Sequence, residues 1–316
     1  MSNSLDGPAT SAFTPLRFRG NVSLDTLADA GLSEQMTASA AHAPTDACVA
    51  WGIPFEVKRP VLIHSKPVTV KLGDVKAPWL VVMHTSDTRH FDADVAADPM
   101  RRGEGRLAEH AANYVILYAD GSEQSVEIRR RRQLGMFQRR WGENCFEAVA
   151  HLKHRPVPAN HEQPTRGWGH SQTRASTRDG GPWVNWLCAW ENPHPRKAIA
   201  AIRFEPVSGR VLISGVSAGT ASEHPLRWRS RRKAVLTLPR GEPLSPTLDE
   251  NGLLAQIQLD MGQIISAVRR PVYPTDGWAR TYNNALPEVS EREVLVEYTA
   301  HPDACFHLAG GKTVPV

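Results

Sequence analysis

A chain of 316 residues with 37 basic and 33 acidic side chains carries a formal charge of only +4, and its pI near 9.0 reflects that small excess. The balance is too even for a dedicated nucleic-acid binder, whose domain is normally strongly basic. The length exceeds one average domain and has room for two, while 24 prolines and 23 glycines favour turns and short strands over long helices.

In chain order, "MSNSLDGPATSAFTPL" offers no basic segment followed by an apolar run, so no secretory signal is read. No stretch approaches the roughly 20 apolar residues of a membrane span. The expectation is a disordered N-terminus over residues 1–11, no membrane partner and, by default, a cytoplasmic location. "PVTVKLG" alternates Val68, Val70 and Leu72 with Thr69 and Lys71, the period-two pattern of a half-buried strand. "WLVVMHT" (79–85) is apolar throughout, which suits a strand covered on both faces. "GRLAEHAANY", near residue 105, reads as a short connecting helix. "YVILYADGSEQSVEIR" reads as a hairpin turning at Asp120-Gly121. Further strands are expected in "WVNWLCAW" (183–190), "AIAAIRFEP" (198–206) and "RVLISGVS" (210–217).

The pattern restarts after residue 222. "SEHPLRWRSRR" supplies a basic linker over 223–232. Beyond it, "KAVLTLP", a turn at Asn251-Gly252 between Leu248 and Leu254, and "REVLVEYTA" (292–300) describe a small β-domain over 233–316. Two loops, 85–105 and 153–182, exceed the usual length, and such loops are commonly functional or disordered.

Chemistry-bearing residues are dispersed. Cys48, Cys145, Cys188 and Cys305 form no C-x-x-C pair, so neither a zinc knuckle nor a redox motif is available; Cys188, among tryptophans, reads as a buried apolar thiol. Thirteen histidines include no H-E-x-x-H. His151, His154, His161, Glu162 and His170 match no zinc spacing, and His301, Asp303 and His307 carry no more weight. Asp87, Asp92, Asp94 and Asp98 are oxygen ligands of the kind calcium takes, without the EF-hand order. No G-x-S-x-G elbow and no complete P-loop appear. Metal content stays open, no catalytic residue is singled out and no cofactor is expected beyond that calcium.

The densest charge is basic. Arg129, Arg130, Arg131 and Arg132 follow the hairpin, and Arg229 and Arg231 lie in "RWRSRRK". Alternation sends 129 and 131 to one side of a strand and 130 and 132 to the other, so the run marks a solvated strand end paired with Glu123 or Glu127. The sharper reading is a polyanion-binding edge, which needs these clusters on one face with aromatics for stacking. Among nine tryptophans, Trp183, Trp186 and Trp190 read as core. Trp168, between two glycines in a polar loop with Arg166 and His170, suits stacking on a sugar ring, and Trp278 in "TDGWART" is similar. The alternative is that these two rings fold back onto the sandwich.

Five pieces in order carry a resemblance: "GIPFEV" (52–57), "VKAPWLVVMHTSD" (75–87), "YVILYADGS" (114–122), "AWENPHPRKAIAAIRF" (189–204) and "VLISGVSAG" (211–219). Over roughly residues 12–220 they resemble the galactose-binding-like jelly roll found beside catalytic domains of bacterial hydrolases, including glycoside hydrolases. More narrowly, "LGMFQRRWGENCFEAV" (134–149) resembles the N-terminal region of bacterial metallohydrolases related to carbaryl hydrolases. In those proteins a histidine-rich PHP-type catalytic domain follows; this chain lacks such a cluster, so no catalytic or metal residue is carried over.

The resulting expectation is an all-β chain: a galactose-binding-like jelly-roll β-sandwich over 12–222, then a smaller β-sandwich-like domain. Its function is expected to be non-catalytic, binding carbohydrate through Trp168, His170, Arg166 and Trp278 or positioning a hydrolase catalytic domain. The alternatives are the front portion of a metal-dependent hydrolase and a scaffold or oligomerisation module. No nucleic-acid partner is expected.

Overall fold

A computed structural model describes residues 3–4, 6–24, 27, 30–88, 107–139, 144–153, 182–241, 243–245, 247–249, 251–273 and 288–316. The chain is all-β with several sheets. Its strands are β1 (Asn3–Ser4), β2 (Phe13–Leu16), β3 (Asp46–Ala50), β4 (Ile53–Val57), β5 (Val61–Ile63), β6 (Val68–Val75) and β7 (Trp79–Ser86). There follow β8 (His110–Tyr118), β9 (Glu123–Arg129), β10 (Ala148–Ala150), β11 (Trp186–Glu191), β12 (Ile199–Pro206) and β13 (Val211–Gly219). The second part holds β14 (Arg232–Thr237), β15 (Ile257–Leu259), β16 (Gly262–Val272), β17 (Glu288–Ala300), β18 (Cys305–Leu308) and β19 (Lys312–Pro315).

Two sheets face each other in the first part. One is six-stranded in the order β10-β11-β7-β13-β2, with β5 also pairing β13; the other is four-stranded, β6-β12-β8-β9. Alternation fills the space between them. Leu80 and Val82 of β7 and Val216 and Ala218 of β13 meet Tyr114 and Ile116 of β8 and Ile202 and Phe204 of β12. The opposite face of β7, through Trp79, Val81 and Met83, joins a second apolar cluster. All eight residues of β7 and all nine of β13 are therefore buried, as the unbroken apolar run at 79–85 leads one to expect.

That second cluster is shared between the two parts of the chain. It holds Phe13, Trp51, Phe55 and Met83 from the first and Leu236, Ile257, Val296 and Phe306 from the second. Full burial of each large apolar side chain contributes about 1.5–3 kcal/mol. The segment expected to be a basic linker is packed into this seam. Leu226 is buried, Trp228 stacks on Trp51 with ring centroids 4.1 Å apart, and Arg229 N–H donates to Ala300 O.

Local chemistry explains the turns. At the β8–β9 hairpin Gly121 adopts φ +83°, while Ser122 N–H and Oγ donate to Asp120 Oδ1 at 3.0 and 2.5 Å. Leu248 and Leu254 bridge across the Asn251-Gly252 turn, where Gly252 has φ +76°.

Two expectations are corrected. Within the stretch 1–11 expected to be disordered, the described residues are tied into the fold: β1 pairs in parallel with β3, and Thr10 N–H donates to Gly52 O. No helix forms where "GRLAEHAANY" enters the described residues; from His110 the chain is strand, because Ala112, Tyr114 and Ile116 reach the core only in that conformation. The described α-helix, α1 (Glu34–Ser39), lies elsewhere and is N-capped by Ser33 Oγ, which accepts from Met36 N–H at 3.1 Å.

Candidate functional site: a basic cleft at the open edge of the sandwich

Strand β2 closes one edge of the six-stranded sheet, and β6 is an edge of the four-stranded one. Between the segment that follows β2, the end of β4 and strand β6 opens a cleft of about 590 Å³ lined by Arg17, Phe18, Arg19, Glu56, Lys58, Thr69, Val70 and Lys71. After Leu16 the chain runs on as a strap, Arg17–Gly20, tied down where Gly20 N–H donates to Arg59 O at 2.9 Å. Glycine is required there: a Cβ on Gly20 would lie 2.0 Å from Pro60 O and 2.6 Å from Arg59 O. Phe18 packs against the core between the sheets, and its neighbours Arg17 and Arg19 stay exposed. The strap is thus anchored at its centre while both guanidinium-bearing residues face solvent.

Glu56, on β4, organises one wall. Its carboxylate accepts from Arg17 Nε at 2.8 Å and pairs with Lys58 Nζ at 2.6 Å. Hydrogen bonding first to Lys58 and then to Arg17 holds its pKa below the usual range. To the same lining β6 contributes Thr69 and Lys71, both exposed. Arg19 and Lys71 make no ion pair among the described residues. Edge-strand lysines also discourage edge-to-edge pairing, which accounts for Lys71 alone but not for four cations around one hollow. The lining holds one carboxylate, that of Glu56, already engaged by Arg17 and Lys58, beside four cationic side chains and the hydroxyl of Thr69.

The aromatic candidates Trp168, His170, Arg166 and Trp278 lie outside the described residues, as do Asp92, Asp94, Asp98, His154, His161 and Glu162. Asp87 is buried and accepts from Ser33 N and Oγ at 2.7 and 2.5 Å and from Thr88 N at 2.7 Å. It thereby secures the loop that enters α1. No group of three or more His, Cys, Asp or Glu that could hold a metal occurs among the described residues.

The arginine run divides. Arg129 pairs with Glu127, Arg132 with Glu147 at 2.5 Å, Arg229 with Glu223 at 2.5 Å and Arg231 with Glu297 at 3.4 Å. Arg131 takes a left-handed φ of +60°. Arg130 corrects the expectation of a solvent-facing run: it is buried, with Nη1 donating to Ser86 Oγ at 2.9 Å and Nε 3.1 Å from Glu109 Oε2. The chain leaves the sheet at Arg129, and the next side chain turns inward to this carboxylate. Arg130 therefore belongs to the fold rather than to a polyanion-binding edge.

Buried titratable groups mark further fixed points. His84 lies between Tyr114 Oη (2.7 Å from Nδ1) and Gln133 O (2.8 Å from Nε2). The carbonyl can only accept, so Nε2 carries the proton and Nδ1 accepts from the tyrosine. Burial lowers the pKa of His84 to about 4, and that of His151, whose Nδ1 accepts from Asn185 N–H at 3.1 Å, to about 4. Both imidazoles stay neutral and locked by their neighbours. Cys188 is buried, as expected, and burial pushes its thiol up to about 12. His307 Nε2 lies 3.1 Å from Asp260 Oδ2, and Asp260 Oδ1 accepts from Met261 and Cys305 N–H.

The cleft residues were missed by pattern reading because each alone is an ordinary solvated charge. "PLRFRG", "EVKRP" and "TVKLG" are separated in sequence, and only the pairing of sheets brings them together. Comparison with protein-family models, curated proteins and solved structures finds no match.

Proposed function

We propose that this chain is a non-catalytic accessory module that binds carbohydrate in the cleft between β2 and β6 and so positions a hydrolase catalytic domain on its substrate. The observation that carries the reading is the cleft itself: about 590 Å³, within the range of ligand sites. Its walls carry hydrogen-bonding side chains suited to a polyhydroxylated ligand. Within this reading the sandwich is a galactose-binding-like jelly roll. Supporting that assignment, β6, β8, β9 and β12 fall in one sheet and β7, β10, β11 and β13 in the other, so the chain repeatedly crosses between layers.

The test is retention of the full chain on a broad array of neutral and acidic glycans, beside a Thr69→Trp variant that fills the cleft. Thr69 is exposed on an edge strand where an indole is well tolerated, so the fold is kept. The expected result is retention by the parent chain and its loss in the variant. Retention of no glycan, or retention unaffected by Thr69→Trp, removes the proposal.

A further inference from the structure

We infer that the cleft selects an acidic carbohydrate, one bearing carboxylate or sulfate groups; this rests on the carbohydrate-binding reading above and narrows it. Four cationic side chains, Arg17, Arg19, Lys58 and Lys71, surround the hollow against the single carboxylate of Glu56. They line one cleft, and exposed charges act together over roughly 8–10 Å in physiological salt. A neutral sugar would leave this potential unanswered.

The charges also differ in role. Glu56 fixes Arg17 through Nε, which leaves both terminal nitrogens of that guanidinium for a bidentate contact with a planar carboxylate or with two sulfate oxygens. Lys58 is held by the same carboxylate. This wall is accordingly partly neutralised, with one carboxylate shared by two exposed cations. Arg19 and Lys71 have no such counter-charge among the described residues. Arg19 sits on the strap and Lys71 on β6, and both line the cleft, so an anionic ligand bound there supplies counter-charge to both. Phe18, packed against the core between the arginines, holds the strap while its flanking cations engage.

Calorimetric titration of the full chain with three tetrasaccharide probes tests this: an oligogalacturonate, the same oligomer after reduction of its carboxyls to alcohols, and a sulfated oligosaccharide. The acidic probes are expected to bind at least about tenfold more tightly than the reduced one, with affinity that falls as salt is raised. Whichever acidic probe binds more tightly identifies the anion. An Arg19→Ala/Lys71→Ala double variant is expected to lose that advantage, whereas Arg132→Ala, a remote exposed arginine, keeps it. Equal affinity for the reduced and acidic oligomers would overturn acid selectivity and leave carbohydrate binding standing. Unchanged affinity in the double variant would overturn it too, by locating the anion elsewhere. If none of the three probes binds, the inference fails, and the glycan array decides separately whether the broader reading survives.

Discussion

The carboxylate of Asp6 accepts the main-chain N–H of Trp51 at 2.6 Å, across 45 residues of chain. Asp6 is buried beside Lys153, whose ammonium donates to Leu259 O at 2.6 Å and Asp260 O at 3.0 Å. Four segments, the N-terminal stretch at Asp6, the β3–β4 turn at Trp51, the residues just after β10 and the β15–β16 turn, are thereby fastened at the seam between the two parts of the chain. Burial raises the Asp6 pKa from 3.8 to about 6, against the pull of Lys153, and burial lowers that of Lys153.

The sign of the pH effect follows. The folded state holds the Asp6 proton more tightly than the unfolded state does, so this group's contribution to stability is complete below its unfolded pKa of 3.8 and is lost as pH rises through about 6. A shift of that size corresponds to about 3 kcal/mol over the window. Urea unfolding of the parent and of Asp6→Asn from pH 7 down to pH 4 should show the parent gaining on the variant as pH falls; parallel curves would contradict the buried, proton-linked carboxylate. Lys153→Met removes the compensating charge and should cost about 3–5 kcal/mol near neutrality, and less in acid, where Asp6 is already neutral.

The arginines after the hairpin should separate by burial. Arg132 and Glu147 are both substantially exposed, at 46% and 37% of their side chains, whereas Arg130 and Glu109 are at 6% and 19%. Arg132→Ala should change stability by less than about 1 kcal/mol. Arg130→Ala removes the buried guanidinium that pairs with Glu109 and empties a contact to Ser86, and should cost about 3–5 kcal/mol. Comparable losses for the two variants in guanidinium unfolding would mean that Arg130 is not the buried anchor described above.

Much of this architecture is legible in the residue pattern because one cause dominates it. The strands β6, β7, β12 and β13 follow from apolar periodicity, and the turns at Gly121 and Gly252 follow from backbone conformations that glycine tolerates. Where the pattern misleads, long-range partners decide. Nothing near Asp6 in sequence announces that its acceptor oxygen will meet Trp51 N–H. Arg130 has the same local signature as Arg132 and differs only in that Glu109 and Ser86 wait on its side of the strand end. Leu107 to Asn113 contains good helix formers, yet pairing with β9 and β12 outweighs that propensity. The cleft is the extreme case, since its cations come from three separated stretches and acquire a joint meaning only after the sheets face each other.

Gly20 offers the sharpest test of that convergence, because it sets how closely the strap approaches Pro60. The atoms a Cβ would meet, Pro60 O at 2.0 Å, Pro60 C at 2.3 Å and Arg59 O at 2.6 Å, are all main chain and cannot swing aside. Gly20→Ala must therefore push the strap outward, strain the hydrogen bond from Gly20 N–H to Arg59 O and move Arg17 and Arg19 relative to β6. The expected cost is about 2–4 kcal/mol, an overpacking penalty plus a weakened hydrogen bond, together with weaker binding of the acidic probe. Gly121→Ala provides the comparison: its φ of +83° strains any side chain, but no atom lies within 4 Å of the new Cβ, so only about 1–2 kcal/mol is expected and the cleft is untouched. Equal destabilisation by the two alanines, with binding intact in both, would show that the strap does not depend on this contact and that the arginines are positioned by something else.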